Sequence, residues 1–183
     1  MSNEECQSAD WHTAGYDDAV RGFTPDRVSL HTKACTDVGI TPDSGQYAAG
    51  HAEGARIYCS TSNAFKLGRA GRTPAKICPA DLVYEFNASY QLGYGVYVRR
   101  RAVDTARRSI WQTERDIARL ERDSAELESK LASSPSAAEQ DSILSQLDRN
   151  RSKRKHLVDD LRRYERDLNE AEREYEAYTN RSI

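Results

Sequence analysis

The stretch that decides the fold runs from Gly93 to Arg122 and reads GYGVYVRRRAVDTARRSIWQTERDIARLER. It contains the last glycine of the chain, Gly95, and no cysteine follows it. Beyond this point apolar residues recur at heptad spacing among charged ones, which is typical of long paired helices. The change of composition predicts two regions: a cysteine- and glycine-rich helical module over residues 1–95 and a helical hairpin over residues 96–183.

The heptad pattern predicts two long helices joined by Ser133-Ser134-Pro135-Ser136. A short turn of this kind makes the helices antiparallel, and folding the chain about it predicts Leu127 near Ile143. Polar seam positions at Ser124, Asn150 and Arg154 either fix the register or leave a surface for a second hairpin, so a homodimer is one expected state. The predicted seam of this antiparallel coiled coil includes Ile110, Ile117, Leu120, Leu127, Leu157, Leu161 and Leu168.

The charge balance argues against nucleic acid as a partner. The formal net charge is -2, and basic and acidic residues alternate without a one-sided basic stripe. No apolar stretch is long enough to span a bilayer, and residues 1–10 lack the basic and apolar regions of a signal peptide. We therefore expect membrane attachment, if any, through a lipid anchor absent from this chain.

The module is expected to contain four helices, the last of which continues into the hairpin. Cap residues and stops predict helices over residues 10–21, 25–38 and 46–59, then a shorter segment over residues 62–68, and a final helix that starts near Cys78-Pro79. Aromatic residues followed closely by glycine recur along them, at a helix-propensity cost of up to ~1 kcal/mol for each glycine. This pattern favours close approach of neighbouring helices, with a glycine-lined ligand groove as the alternative.

Four cysteines, Cys6, Cys35, Cys59 and Cys78, indicate two disulfides formed in an oxidising compartment. The order of the helices favours pairing Cys6 with Cys35 and Cys59 with Cys78, although all three connectivities stay open. Zinc is the rival, because His31 and Cys35 lie four residues apart, and reduced, buried thiols without a chemical role are a third alternative. The chain has no CxxC pair, so we expect neither a metal nor a cofactor.

No motif for catalysis stands out, and the chain is expected not to be an enzyme. Neither a phosphate-binding loop nor a GxSxG elbow is present. Asp18, His31 and His51 are the candidate polar site of an alternative function, a small-ligand-binding or hydrolytic module. His31 is the residue expected to face inward from its helix.

Residues 5–93 resemble an uncharacterised family of Gram-negative bacterial envelope proteins, many of them predicted lipoproteins, which is known as a domain of unknown function. The resemblance implies a periplasmic or outer-membrane-anchored location and no catalytic residues. The matching elements are Glu5-Cys6, Trp11 with Gly15, Asp18, Gly22, His31 with Cys35, Gly39, Pro42-Asp43, Tyr47 with Gly50 and Gly54, Tyr58-Cys59, Asn63, Gly68, Cys78, and Tyr90 with Gly93.

Together these patterns predict a non-enzymatic adaptor or structural protein of the cell envelope that uses its helical hairpin to contact a protein partner or a second copy. A secreted effector or its immunity partner is a further alternative that a helical hairpin alone leaves open.

Overall fold

A computed structural model describes residues 3–133 and 136–182, and within these ranges the chain contains helices and no strand. The helices are α1 Asn3–Gln7, α2 Trp11–Val20, α3 Val28–Cys35, α4 Ser44–Tyr58, α5 Thr61–Arg69, α6 Ala80–Ala132 and α7 Ala137–Ser182. Two 3-10 turns, Pro25–Arg27 and Thr36–Val38, flank α3. The predicted all-α fold with two disulfides and a long hairpin is confirmed.

The chain divides into two compact units, Met1–Val98 and Arg99–Ile183. The first holds α1 to α5 and the start of α6, and the second holds the rest of α6 together with α7.

Local sequence sets most helix ends in the first unit. The Asp10 carboxylate accepts hydrogen bonds from the backbone N–H groups of His12 and Thr13, and Asp43 caps α4 in the same way. The helix predicted over residues 25–38 is interrupted, because 3-10 turns replace α-helix on both sides of α3. The last turn, Thr36–Val38, contains weak helix formers and ends at Gly39 in the left-handed region. Helix α1, which holds Cys6, was not predicted as a separate element.

Glycines bring the helices of this unit into backbone contact. A Cβ atom at Gly54 on α4 would overlap the carbonyl oxygen of Tyr16 on α2. On α6, a Cβ atom at Gly93 would overlap the carbonyl oxygen of Phe65 on α5. The close helix approach predicted from the aromatic and glycine pattern is therefore confirmed at two separate crossings.

The two crossings are copies of one arrangement. Gly22, with φ 84°, lies two residues beyond the end of α2, and Gly71, with φ 66°, lies two residues beyond the end of α5. Each glycine opens the sequence Gly-x-Thr-Pro, at residues 22–25 and again at 71–74. A tyrosine ring lies against each of them: Tyr58 against Gly22 and Tyr97 against Gly71.

The partner helices repeat as well. Tyr58 follows Gly54 by four residues on α4, and Tyr97 follows Gly93 by four residues on α6. The first unit is thus built from a tandem pair of helix pairs, α2 with α4 and α5 with α6. Repeats of this kind stack one buried face on the next.

Each helix pair has its own disulfide, placed in the same way. Cys6 lies before α2 and bonds to Cys35, which lies in the connection to α4. Cys59 lies before α5 and bonds to Cys78, which lies in the connection to α6. This is the connectivity that the order of the helices favours. The loops closed span 29 and 19 residues, and restricting the unfolded chain in this way contributes roughly 3 kcal/mol for each bond.

The second unit is a helical hairpin with antiparallel cross-pairs. Arg107 pairs with Glu172 at 2.6 Å, and nearer the turn the Asn150 side-chain amide donates to the Ser124 hydroxyl at 3.2 Å. The latter pair brings Leu127 towards Leu147, about one helical turn beyond the predicted partner Ile143. The proximity of Leu127 to Ile143 stays a prediction, and Ser134 and Pro135 of the predicted turn lie outside the described residues.

Candidate functional site

The most buried polar cluster of the first unit is centred on Asp18 of α2. Asp18 is 5% exposed, and Ala19 beside it is fully buried. Gly15, one turn earlier on α2, lies against the backbone of α4, so the Asp18 carboxylate is held at the helix crossing. A carboxylate buried in this way is costly unless its oxygens are hydrogen-bonded.

Both oxygens of the Asp18 carboxylate have partners. Arg27 donates from Nε to Oδ1 at 2.9 Å. His31 Nε2 lies 2.7 Å from Oδ2, and the Tyr47 hydroxyl donates to the same oxygen at 2.9 Å. The 3-10 turn supplies Arg27, α3 supplies His31 and α4 supplies Tyr47, so one carboxylate ties three further elements to α2.

Aromatic rings extend this cluster. The His31 ring lies 5.9 Å from the Tyr47 ring and 6.4 Å from the Trp11 ring. The His51 ring lies 6.2 Å beyond Tyr47, and its Nε2 bonds to the carbonyl oxygen of Phe23 at 2.8 Å. These spacings are those of packed aromatic pairs, so the rings pack the polar cluster into the core.

The pKa values follow from these contacts. Burial by itself raises the pKa of Asp18, but the hydrogen bonds from His31 and Tyr47 and the charges of His31 and Arg27 outweigh burial and leave that pKa below its usual range. Burial raises the pKa of the Tyr47 hydroxyl well above its usual range, and its hydrogen bond to Asp18 adds to the effect. The cluster therefore holds an ionised Asp18 and a neutral Tyr47 at neutral pH.

The predicted site residues are brought together in part. Asp18 and His31 are in direct contact, whereas His51 joins them through the ring of Tyr47. Sequence reasoning missed the roles of Arg27 and Tyr47. The signal available for Tyr47 was its aromatic character beside the Gly50–Gly54 notch, and Arg27 carried no signal beyond its place after Thr24-Pro25.

The second helix pair adopts the same arrangement without a buried carboxylate. The residue four before Gly71 is Leu67, at the place that Asp18 holds before Gly22. The residue seven before Gly93 is Phe86, at the place that Tyr47 holds before Gly54. Leu67 and Phe86 are both buried in an apolar cluster with Tyr58. Ion-pair and apolar versions of the same helix pair thus occur in one chain, as expected if a buried ion pair and an apolar pair are close in stability.

The cysteine chemistry of the first unit is used up by its disulfides. The four sulfurs form two disulfide bonds, so none of them is a thiolate available to a metal. Among residues 3–133 and 136–182, no group of three or more histidine, cysteine, aspartate or glutamate side chains could hold a metal ion. In the same ranges, no helix is both long and apolar enough to cross a lipid bilayer.

The geometry defines an all-α protein with a disulfide-stapled pair of helix pairs and a long helical hairpin. Residues 10–95 match the model of a family described as "Protein of unknown function (DUF2799)". The matched segment lies within the disulfide-stapled unit, so the resemblance predicted for residues 5–93 is confirmed as similarity to an uncharacterised domain. A search of curated proteins found no match, and a search of solved structures found none either.

Proposed function

We propose that this chain is a non-enzymatic interaction protein of the cell envelope, periplasmic or associated with the outer membrane. Its hairpin associates with a second copy, and its disulfide-stapled unit recognises a protein partner. The observation that carries the proposal is the incomplete burial of the hairpin seam.

The seam of the second unit leaves apolar surface accessible along its length. Leu120 is buried, at 8% exposure. Other predicted seam residues are half-buried, namely Ile110, Ile117, Leu127, Leu157, Leu161 and Leu168. Trp111 and Leu144, at 56% and 47% exposure, add apolar surface to the same unit. Two helices bury one stripe of side chains incompletely, whereas a four-helix arrangement of two hairpins encloses it.

Polar contacts in the middle of the hairpin support pairing in a fixed register. The Asn150 amide bonds to Ser124, and Arg154 Nε lies 2.9 Å from Glu121 Oε1. These four residues line a cavity of about 290 Å³, together with Leu147. An isolated polar layer in an apolar seam is a device that selects register and partner in coiled coils. We propose that this polar layer fixes the register between two hairpins. The second hairpin closes the cavity.

The two disulfides support the proposed location. Bonds of this kind form and persist in oxidising compartments, of which the bacterial periplasm is one. The resemblance to envelope proteins over residues 5–93 points the same way.

The Asp18 cluster supports a structural role in preference to catalysis. Its carboxylate oxygens and His51 Nε2 are engaged by groups of the same unit. A general base or nucleophile needs a substrate within hydrogen-bond reach, and here those positions are taken by Arg27, His31, Tyr47 and Phe23. A buried polar network whose members are hydrogen-bonded to one another makes the core rigid and specifies one packing arrangement.

Light scattering after gel filtration, across the micromolar range, tests the hairpin association. We expect twice the mass of one chain, and we expect Leu144→Glu, at a residue that is 47% exposed on the hairpin, to give the mass of one chain with the far-ultraviolet helix signal of the protein retained. Leu30→Glu is the matched control, because Leu30 is 57% exposed on α3 and lies outside the hairpin. A wild-type chain that stays monomeric throughout would overturn the proposal.

A further inference from the structure

A groove lies beside the Cys59–Cys78 disulfide, on the second helix pair. Residues 73–76 form one wall, and Val83, Phe86 and Asn87 of α6 form the other, with Cys78 between them. Its volume is about 390 Å³, and most of its exposed lining is apolar. That volume lies within the range of pockets that bind ligands.

The wall formed by the connection carries unused backbone groups. Ala75 N–H donates to the Tyr58 hydroxyl at 2.9 Å, and Arg72 N–H donates to the Leu67 carbonyl at 3.0 Å. Between Ala75 and Pro79 the chain forms no helix or strand. Within the described residues, the backbone N–H and C=O groups of Lys76 and Ile77 have no hydrogen-bond partner in the protein. Lys76 lines the groove and Ile77 is the next residue along the chain, so an extended peptide whose side chain enters the groove can hydrogen-bond to these main-chain groups.

The first helix pair shows why these groups are left open. Tyr47 on α4 lies 22 positions after Pro25, and the connection before it folds into α3 with a 3-10 turn on each side. In the second helix pair, Phe86 on α6 lies only 12 positions after Pro74. Being ten residues shorter, this second connection forms no helix of its own, so its backbone groups are not satisfied internally.

We propose that this groove binds an extended peptide segment of a protein partner. The segment pairs its backbone with Lys76 and Ile77 and places an apolar side chain between Val83 and Phe86. Lys76 supplies the one ionisable side chain among the groove-lining residues described, so an acidic residue next to the apolar one is favoured by charge. This inference rests on the proposed function, since it names the surface and the type of partner that the disulfide-stapled unit recognises.

The test uses the full chain with its disulfides intact and a displayed library of random twelve-residue peptides. We expect the selected peptides to share an apolar residue beside an acidic one, and one such synthetic peptide to slow amide hydrogen exchange at Lys76 and Ile77. Val83→Glu should weaken that peptide at least about tenfold, since a charge would replace apolar contact at the centre of the groove. Val83 is 38% exposed, so the substitution is not expected to disturb folding.

Leu30→Glu is again the control, because it makes the same change on an exposed apolar residue of the same unit. Peptides that bind wild type and Val83→Glu equally, or a selection that enriches no peptide, would overturn the inference. Protection of amides elsewhere, with Lys76 and Ile77 unchanged, would also overturn it. The mass of the free chain in light scattering reports hairpin association independently, so the failure of one proposal is distinguishable from the failure of the other.

Discussion

Removing the Asp18 carboxylate tests the account of the first unit most directly. In Asp18→Ala, three donors lose their acceptor: Arg27, His31 and the Tyr47 hydroxyl. Arg27 has a third of its side-chain surface exposed and can turn to solvent. Tyr47, 2% exposed, cannot do so, and its unsatisfied hydroxyl alone costs roughly 1–3 kcal/mol. Removing one partner of a buried ion pair costs about 3–5 kcal/mol in total, which is the loss we expect in the free energy of unfolding.

The assay is equilibrium unfolding in urea with the disulfides intact, followed by the fluorescence of Trp11. The second tryptophan, Trp111, belongs to the hairpin, so every variant is made in a Trp111→Phe background. Trp11 lies 6.4 Å from the His31 ring and reports on the cluster itself. A loss below about 1 kcal/mol would refute the reasoning, because substitutions on the surface already change stability by up to about 0.5 kcal/mol.

The second helix pair supplies a stricter version of the same test. Asp18→Leu combined with Tyr47→Phe copies the apolar pair Leu67 and Phe86 into the first helix pair. This double variant should be more stable than Asp18→Leu alone, because no buried hydroxyl is left without an acceptor. Equal stability of the two variants would mean that the Tyr47 hydroxyl costs nothing when its acceptor Asp18 is removed, which would contradict this reasoning.

The pH dependence has a defined sign. The pKa of Asp18 is lowered in the folded protein, because the hydrogen bonds from His31 and Tyr47 outweigh burial, so the unfolded chain binds this proton at a higher pH than the folded one does. The stabilisation is therefore fully present above the unfolded pKa and is lost as the pH falls through the folded pKa. Asp18→Asn should lose this part of the acid dependence, which urea unfolding at a series of acidic pH values measures.

Three further outcomes are expected. Gly93→Ala should lower the free energy of unfolding by about 1–3 kcal/mol, because its Cβ would overlap the Phe65 carbonyl. Gly45→Ala at the start of α4 is the control and should cost less, because its Cβ would meet no backbone atom and only the Asp43 side chain, at 3.3 Å. Replacing Cys59 and Cys78 together by serine should cost roughly 3 kcal/mol by the same urea assay, and no change in the midpoint would contradict the role given to that disulfide. Leu161→Glu should lower the melting temperature seen by circular dichroism, and an unchanged melt would count against the hairpin seam.

The sequence by itself determined which structural elements the fold contains. Heptad spacing and the polar turn at residues 133–136 predict two long antiparallel helices, because a 3.5-residue apolar period needs a facing helix. Four cysteines in a short, glycine-rich segment predict two disulfides, since such a segment has little apolar surface to bury. Asp10 and Asp43 predict helix starts because their side chains satisfy nearby backbone N–H groups.

Tertiary structure decided the rest. The sequence places Asp18, Arg27, His31 and Tyr47 on four different elements, and only the α2–α4 crossing brings them to one carboxylate. The repeat of Gly-x-Thr-Pro at residues 22–25 and 71–74 is visible in the sequence, but its meaning depends on the two helix crossings that follow it. The hairpin register likewise depends on cross-helix bonds such as Ser124 with Asn150. Local patterns fix which segments are helical, because helix formation depends on neighbours in sequence. Which side chains meet depends on close packing between segments far apart in the chain.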